Sequence, residues 1–424
     1  MNMEREKIFC AAPWYYSMTK KSAITVRYII EMKDEVDGDA LRKALDVTMT
    51  RYPYLMKKLI VTPEEYLLEP NPLPIVLLHT DKPINLGGKE ANWHQFALSY
   101  FEKSIYFNNT HAIFDGRGRS ALLHTLMYYY CTYRYGEEQQ MEGVNLAGTP
   151  IDPMEYDDPY VRELPKTAFN FDSIRKPHSV LRLDRMGLVT VGTPQAHRIS
   201  ISESALMNLC KNNDGTPNTA IALIMSRAIR KIHPDTGTSI VSGVYCDLRN
   251  ALKSPLTHNS LVTTLDLAYH KELEDLDFAD QNAIFRGRMK IQSDPAALLP
   301  LQEAQKSMCK TLSEMPTLEE KCKAASDGMT GLFRAHTFLV SYSGRSNFGS
   351  CDKYIKATFP QPYGREIGIL MEITSVDGNF YIDFIQEWRE DVYFNAFIKE
   401  LRSLGVDCDL LYSGRNDPAR FVFE

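Results

Sequence analysis

The chain has 424 residues, more than one hydrophobic core usually fills, so two domains or one large pseudo-symmetric body is expected. Hydrophobic residues at 44% and charged residues at 24% fit a globular protein, and 54 acidic against 48 basic residues leave a net charge of −6. Those charges are spread without blocks, which argues against a nucleic-acid partner, and no window approaches the roughly 18 apolar residues of a membrane span.

The N-terminal residues Met1 to Ile8 mix charges of both signs and lack the apolar run of a signal peptide. The eight cysteines, Cys10, Cys131, Cys210, Cys246, Cys309, Cys322, Cys351 and Cys408, form no C-x-x-C pair and no Cys/His cluster at zinc spacing. The expectation is reduced thiols in a cytoplasmic protein, with no metal.

The β-branched stretch Ala23 to Met32 predicts a strand, and Asp39 is placed to cap a helix from Ala40 to about Arg51, which Pro53 stops. Leu55 to Val61 and Glu65 to Leu68 read as short strands. Ile105 and Phe107 alternate with Ser104 and Tyr106, predicting a strand that delivers the chain to His111. Beyond Gly118, the residues Leu122, Leu123, Leu126, Met127 and Tyr130 recur at helical spacing until Gly136.

From Gly148 to His178 five prolines interrupt a stretch with little periodicity, the best candidate for a crossover between domains. A strand is predicted near Ala196, then helices at Glu203 to Asn212 and Thr219 to Ile232, and a buried strand at Ser239 to Cys246 ending in Asp247-Leu248-Arg249. Asp275 to Leu312 reads as helical with breaks near Pro295 and Pro300. Strands at Thr337 to Ser341, Ile367 to Ser375 and Asn379 to Glu387 and a helix at Phe394 to Leu404 complete an irregular α/β pattern. It has neither the regular βαβ units nor the glycine fingerprint of a dinucleotide fold.

The segment Thr110-His-Ala-Ile-Phe-Asp-Gly-Arg-Gly-Arg119 puts an H-x-x-x-D-G pattern between a strand and a helix. Histidine is the side chain whose ordinary pKa suits a general base near neutral pH, and the strand-to-helix junction holds it on a loop. Asp115 either bonds the imidazole or caps the following helix and fixes the loop; the helix favours the second. On these residues alone, a capped loop without catalysis is the commoner reading. His124 reads as a packed helix residue, Cys131 and Cys246 as core thiols. No G-x-S-x-G elbow and no phosphate loop is present.

With its flanks, this segment resembles the active-site segment of the chloramphenicol-acetyltransferase-like superfamily, which includes alcohol acetyltransferases, polyketide-associated acyltransferases and the condensation domains of peptide synthetases. Three more landmarks stand in the matching order: Thr50-Arg-Tyr-Pro-Tyr-Leu55, Asp247-Leu-Arg249 and Ser341-Tyr-Ser-Gly344. The sequence departs from the family where Thr110 replaces a first histidine and where the Ser341 segment lacks an asparagine. The plant-type Asp-Phe-Gly-Trp-Gly is absent, and Asn347-Phe-Gly-Ser350 reads as a turn.

The resemblance implies an α/β (α+β) fold of two similar domains, each a mixed sheet flanked by helices, with a tunnel at their interface. The halves would be 1–165, carrying the motif, and 196–424, joined by a crossover at 166–195. It implies an acyltransferase in which His111 deprotonates an alcohol or amine acceptor that attacks a thioester, with coenzyme A ahead of an acyl carrier protein as donor and no bound cofactor. Gly116 N–H and the hydroxyl of Ser341 or Ser343 are the candidate oxyanion donors, and Asp115 would pair structurally with Arg249 or Arg27. Arg117 and Arg119 read as solvated beside the turn, with coenzyme A phosphates as the alternative contact. The departures from the motif also leave open a non-catalytic binding protein of the same fold, or a condensation-type enzyme using a carrier-bound donor.

Overall fold

Sheet and helix periodicities alternate along the chain in the computed structural model, which describes residues 5–18, 24–166, 179–234, 236–363, 368–417 and 419–423. Its first half runs Glu6–Lys7 (β1), Ala12–Ser17 (α1), Thr25–Met32 (β2), Gly38–Arg51 (α2), Lys57–Val61 (β3), Tyr66–Pro70 (β4), Leu77–His79 (β5), Phe96–Phe101 (β6), Ser104–Thr110 (β7) and Gly116–Tyr135 (α3). The second half opens with Thr190–Ser202 (β8), Glu203–Asn212 (α4), Pro217–Ile232 (α5), Ile240–Asp247 (β9), Arg249–Leu252 (α6) and Val262–Tyr269 (β10). Three consecutive helices follow, Phe278–Gln292 (α7), Pro295–Glu314 (α8) and Leu318–Arg334 (α9). Phe338–Arg345 (β11), Ile355–Tyr363 (β12), Ile369–Val376 (β13), Asn379–Trp388 (β14), Val392–Ser403 (α10) and Asp409–Arg415 (β15) close the chain.

Two large mixed sheets carry the fold, the α/β architecture expected from the sequence. One has the order β12-β2-β7-β6-β5 and the other β10-β9-β11-β13-β14-β8-β15, while β1, β4 and β3 form a small third sheet. In the first, Ile30 on β2 and Phe107 on β7 pack against Leu41 and Leu45 of α2 and Leu123 and Leu126 of α3, a single apolar core. In the second, Ile373, Ile382 and Phe384 pack beneath Ile221, Leu223 and Phe397 of α5 and α10. A third cluster gathers α1, α6, α8 and α9 through Ala12, Leu252, Leu312 and Ala325.

Several expectations need correction. The helix expected from Ala40, α2, starts at Gly38 and is capped by Asp37, whose carboxylate accepts from Ala40 N–H, so Asp39 is a first-turn residue instead. Pro300 does not break α8: only the ladder bond its missing N–H would donate is lost, and Leu298 and Leu299 beside it stay buried. The strand expected near Ala196 begins at Thr190, inside the proposed crossover. β1, α1, β5, β6, α6, β10, α9, β12 and β15 went unpredicted. Ala23 and Ile367, taken as strand starts, and residues 167–178 of the crossover lie outside the described residues.

β12 matters most for the site. It comes late in the chain yet pairs antiparallel with β2, Thr358 opposite Ile30, so the second half supplies an edge strand to the first half's sheet. Among the described residues no helix is long and apolar enough to cross a membrane.

Phe384 has no exposed surface and lies at the centre of the larger sheet's core. Phe384→Ala should destabilise the fold by about 3–5 kcal/mol, read as a lowered urea midpoint at unchanged slope.

Candidate active site

β7 ends at Thr110 and α3 begins at Gly116, so the five residues His111 to Asp115 must turn the chain between a sheet and a helix. Ala112, Ile113 and Phe114 bury their side chains and anchor the turn, while His111 N–H donates to Ile24 O at 2.8 Å. Asp115 is the N-cap of α3, its Oδ1 accepting from Gly118 N–H at 2.7 Å.

The same carboxylate reaches the other half of the chain. Arg249 donates from both terminal nitrogens to Asp115 Oδ1 and Oδ2, each at 2.9 Å, and Leu261 N–H donates to Oδ2 at 2.8 Å. Arg249 spends its remaining donors on Thr257 O, Asn259 O and Asp247 Oδ1. Burial pushes the Asp115 carboxyl up, but the Arg249 charge and these hydrogen bonds outweigh it, and the group lies below its ordinary range. Asp115 therefore faces an arginine rather than the imidazole. Arg27, the other candidate partner, is elsewhere: its guanidinium bonds Asp81 O and lies 3.9 Å over the Tyr106 ring.

His111 is partly buried and stacks on Trp14, with ring centroids 4.3 Å apart and planes at 21°. Ser260 Oγ donates to His111 O and lies 3.4 Å from its Nδ1. With that hydroxyl proton committed, Nδ1 is assigned the ring proton, facing its own carbonyl and Ser260 Oγ, and Nε2 keeps a lone pair. Burial drives the imidazole pKa down to about 4, against the weaker upward pull of Asp115, so the ring is neutral at pH 7.

A cavity of about 400 Å³ opens at this ring, walled by Trp14, Ile24, Val26, Gly116, Phe333 and Leu370 among others. Gly116 heads α3, where a backbone N–H has no intrahelical acceptor. Ser341 also lines the cavity, but its hydroxyl bonds Glu372. Ser343 lies on β11, its side chain outside the described residues. A second cavity of about 310 Å³ shares Gly116, Arg117, Arg119, Ser120 and Gly344 with the first and continues to His124 and Asn347. A third, about 580 Å³, lies past Ile113 and includes Tyr54 and His258.

Two arginine expectations divide here. Arg117 is exposed, as a solvated residue should be, but Arg119 is only 5% exposed and lies 4.4 Å over the Tyr28 ring. Cys131 is fully buried, whereas Cys246 is a partly exposed cavity residue and no core thiol. His124 packs edge-on against Phe348. Asn347 turns the chain by accepting from Gly349 N–H. Arg51 of the Arg-x-Pro landmark is 2% exposed and clamps Glu155 with two hydrogen bonds, tying α2 to the chain after α3. Ser260 and Glu372 escaped the sequence reading, having no motif around them, and Trp14 had only its aromatic neighbours. Among the described residues no group of three or more His, Cys, Asp or Glu is placed to hold a metal ion.

This architecture is the chloramphenicol-acetyltransferase-like fold. Solved structures similar to the chain include polyketide synthase associated protein 5 from Mycobacterium tuberculosis, at 15% identity and TM-score 0.57 over 93% of this chain and 96% of that one. TRI101 of F. graminearum, solved with coenzyme A and T-2 mycotoxin, is similar at 11% identity and TM-score 0.59, covering 96% and 99%. The first condensation domain of the calcium-dependent antibiotic synthetase, solved with a substrate analogue, is similar at 12% identity and TM-score 0.61, covering 95% of each chain. Identities this low speak for the fold. No family model and no curated protein sequence matches the chain.

Two substitutions test the clamp. Asp115→Asn removes the buried one of Arg249's two carboxylate partners, leaving only the more exposed Asp247, and should cost about 3 kcal/mol, read as a fall in the denaturant midpoint. Gly118→Ala should be as harmful, because its Cβ would stand 2.0 Å from His258 O and 3.0 Å from an Arg249 nitrogen; a stability matching the wild type would refute that close approach.

Proposed function

We propose that the chain is an acyltransferase that moves an acyl group from a thioester to an alcohol or amine, with His111 as general base. The observation that carries this reading is the imidazole itself: neutral at pH 7, held beside Trp14 and Ser260, and lining a cavity. Nε2 takes the proton of the acceptor as its oxygen or nitrogen attacks the thioester carbonyl carbon. The tetrahedral intermediate then expels the thiolate, which takes the proton back from the imidazolium.

Negative charge on the carbonyl oxygen needs donors that are in place beforehand. Gly116 N–H, at the positive end of α3, is the proposed first donor, and the helix dipole adds to it. Ser341 contributes only if it leaves Glu372, and Ser343 is retained as the alternative hydroxyl. Asp115 and Arg249 hold the loop and touch no substrate.

Coenzyme A is the proposed leaving group. Support comes from the fold shared with TRI101, which was solved with coenzyme A, and from exposed Arg117, which lines both adjoining cavities, where a phosphate would be welcome. The same fold in a condensation domain makes a carrier-bound thioester the alternative donor.

Thiol release from acetyl-coenzyme A with a mixed panel of alcohols and amines tests the assignment. His111→Ala should lower kcat/KM by about 10²–10⁴-fold. Turnover unchanged in that variant sinks the base, and a wild type inert with free and carrier-bound donors alike points to a binding protein.

The pH profile separates this site from one with an ordinary histidine. Because the folded pKa lies near 4, the base is available above it. With a neutral acceptor, kcat/KM should hold level from pH 7 to about 5 and fall only as the pH drops through about 4. A fall centred near 6.5 would refute the buried neutral imidazole.

A further inference from the structure

The cavity at His111 holds a second ionisable group that the proposed reaction leaves unused. Glu372 is on β13, the strand that also sends Leu370 into the cavity two residues earlier. Its neighbour across the sheet is Asp383 on β14. These two carboxylates are treated in opposite ways. Asp383 is 2% exposed and closed by Arg198, which donates to both of its oxygens at 2.8 and 3.1 Å. Glu372 is open to the cavity and makes no ion pair among the described residues.

None of the groups that act electrostatically on Glu372 forms an ion pair with it. β11 presents Ser341, a hydroxyl. β9 presents Tyr245, whose phenol is pushed far above its ordinary pKa and stays neutral. β14 presents Asp383, a like charge. α3 presents Arg119, which pulls on Glu372 from beyond ion-pair range while it lies on Tyr28 and donates to Asn109 Oδ1 at 3.3 Å. Burial wins over Ser341 and Arg119, and the carboxyl is pushed up to about 8.

A carboxylate in this position is costly, since an enclosed charge without a counter-ion loses its hydration and gains no partner in return. It recovers that loss by taking up a proton or by meeting a cation. Trp14, Phe333, Pro360, Pro362 and Leu370 suit the carbon skeleton of a ligand, and the two cations that also line the cavity, exposed Arg117 and Arg119 over Tyr28, make no ion pair with Glu372.

We propose that Glu372 binds a cationic nitrogen on the acyl acceptor, which makes the acceptor class an amino alcohol or diamine with its charged end at Glu372 and its nucleophile at His111. The assignment of an acceptor rests on the acyl-transfer reading; the cation site itself does not.

Dimethylamino alcohols with two to six methylenes are suitable ligands, because their tertiary nitrogen is cationic at pH 7 and cannot be stably acylated. Their neutral counterparts end in an isopropyl group. With acetyl-coenzyme A, the wild type should favour the cationic member of the best-fitting pair by about tenfold in kcat/KM, the value of one charge-assisted hydrogen bond. Glu372→Gln should bring that ratio to about one. A wild type without the preference at every chain length overturns the proposal, as does a preference that survives in the variant. Calorimetric titration of the same compounds covers an enzyme that transfers nothing: binding of the cations by the wild type, weakened in Glu372→Gln, supports the site and removes only the transfer reading. No binding of any cation overturns it.

Discussion

The Asp115–Arg249 pair is the contact on which the site depends. One carboxylate caps α3, holds Leu261 N–H and receives both arms of an arginine from the second half of the chain. Five hydrogen bonds use every N–H of that guanidinium. A buried ion pair gains little when its remaining donors and acceptors are unmet, and here the key ones are met, so the desolvation cost is offset and the geometry is fixed. His111, four residues before Asp115, inherits that rigidity.

Low polarity then does different things to the groups it encloses. At His111 it disfavours the imidazolium and leaves a neutral ring that can accept a proton, although a pKa near 4 makes it a weak base in equilibrium terms. In the proposed reaction, proton transfer to such a base would be favourable only as the acceptor's own pKa collapses during bond formation, so the proton would move in concert with attack. At Asp115 the arginine reverses the effect of burial. At Glu372 the pull of Ser341 and Arg119 falls short of the burial effect, and the carboxyl keeps its proton unless a cation from outside the chain meets it.

Legibility in the sequence followed locality. His111, Asp115 and Gly116 stand within six residues, between periodicities of two and 3.6, so one window exposes them together. Arg249 was legible only through an Asp-x-Arg landmark matched by family resemblance, since no local pattern says that an arginine 134 residues away will meet Asp115. Arg27 was an equally reasonable partner by residue type and was placed elsewhere by β2, whose register sends it to Asp81 and Tyr106. Arg119 looked solvated because it follows an exposed turn, but helical phase returns it to the interior beside Tyr28. Glu372 and Ser260 belong to no motif: their roles come from sheet register and from a loop meeting a loop, which one-dimensional patterns do not carry. β12 was hidden for a related reason, its proline-bearing sequence disguising an edge strand.

That edge strand explains why the cavity cannot belong to either half alone. β12 leaves the second half, pairs along β2 and brings Pro360 and Pro362 into the cavity beside Val26. Proline is tolerated there because one side of an edge strand needs no ladder donor. Ser341 and Glu372 enter from the larger sheet, His111 and Gly116 from the loop beyond the smaller one. A pocket walled by two sheets and crossed by a swapped strand has its width set by strand pairing rather than by flexible loops. Ligand selection in such a pocket then rests on the few polar side chains that interrupt its apolar lining, Glu372 among them.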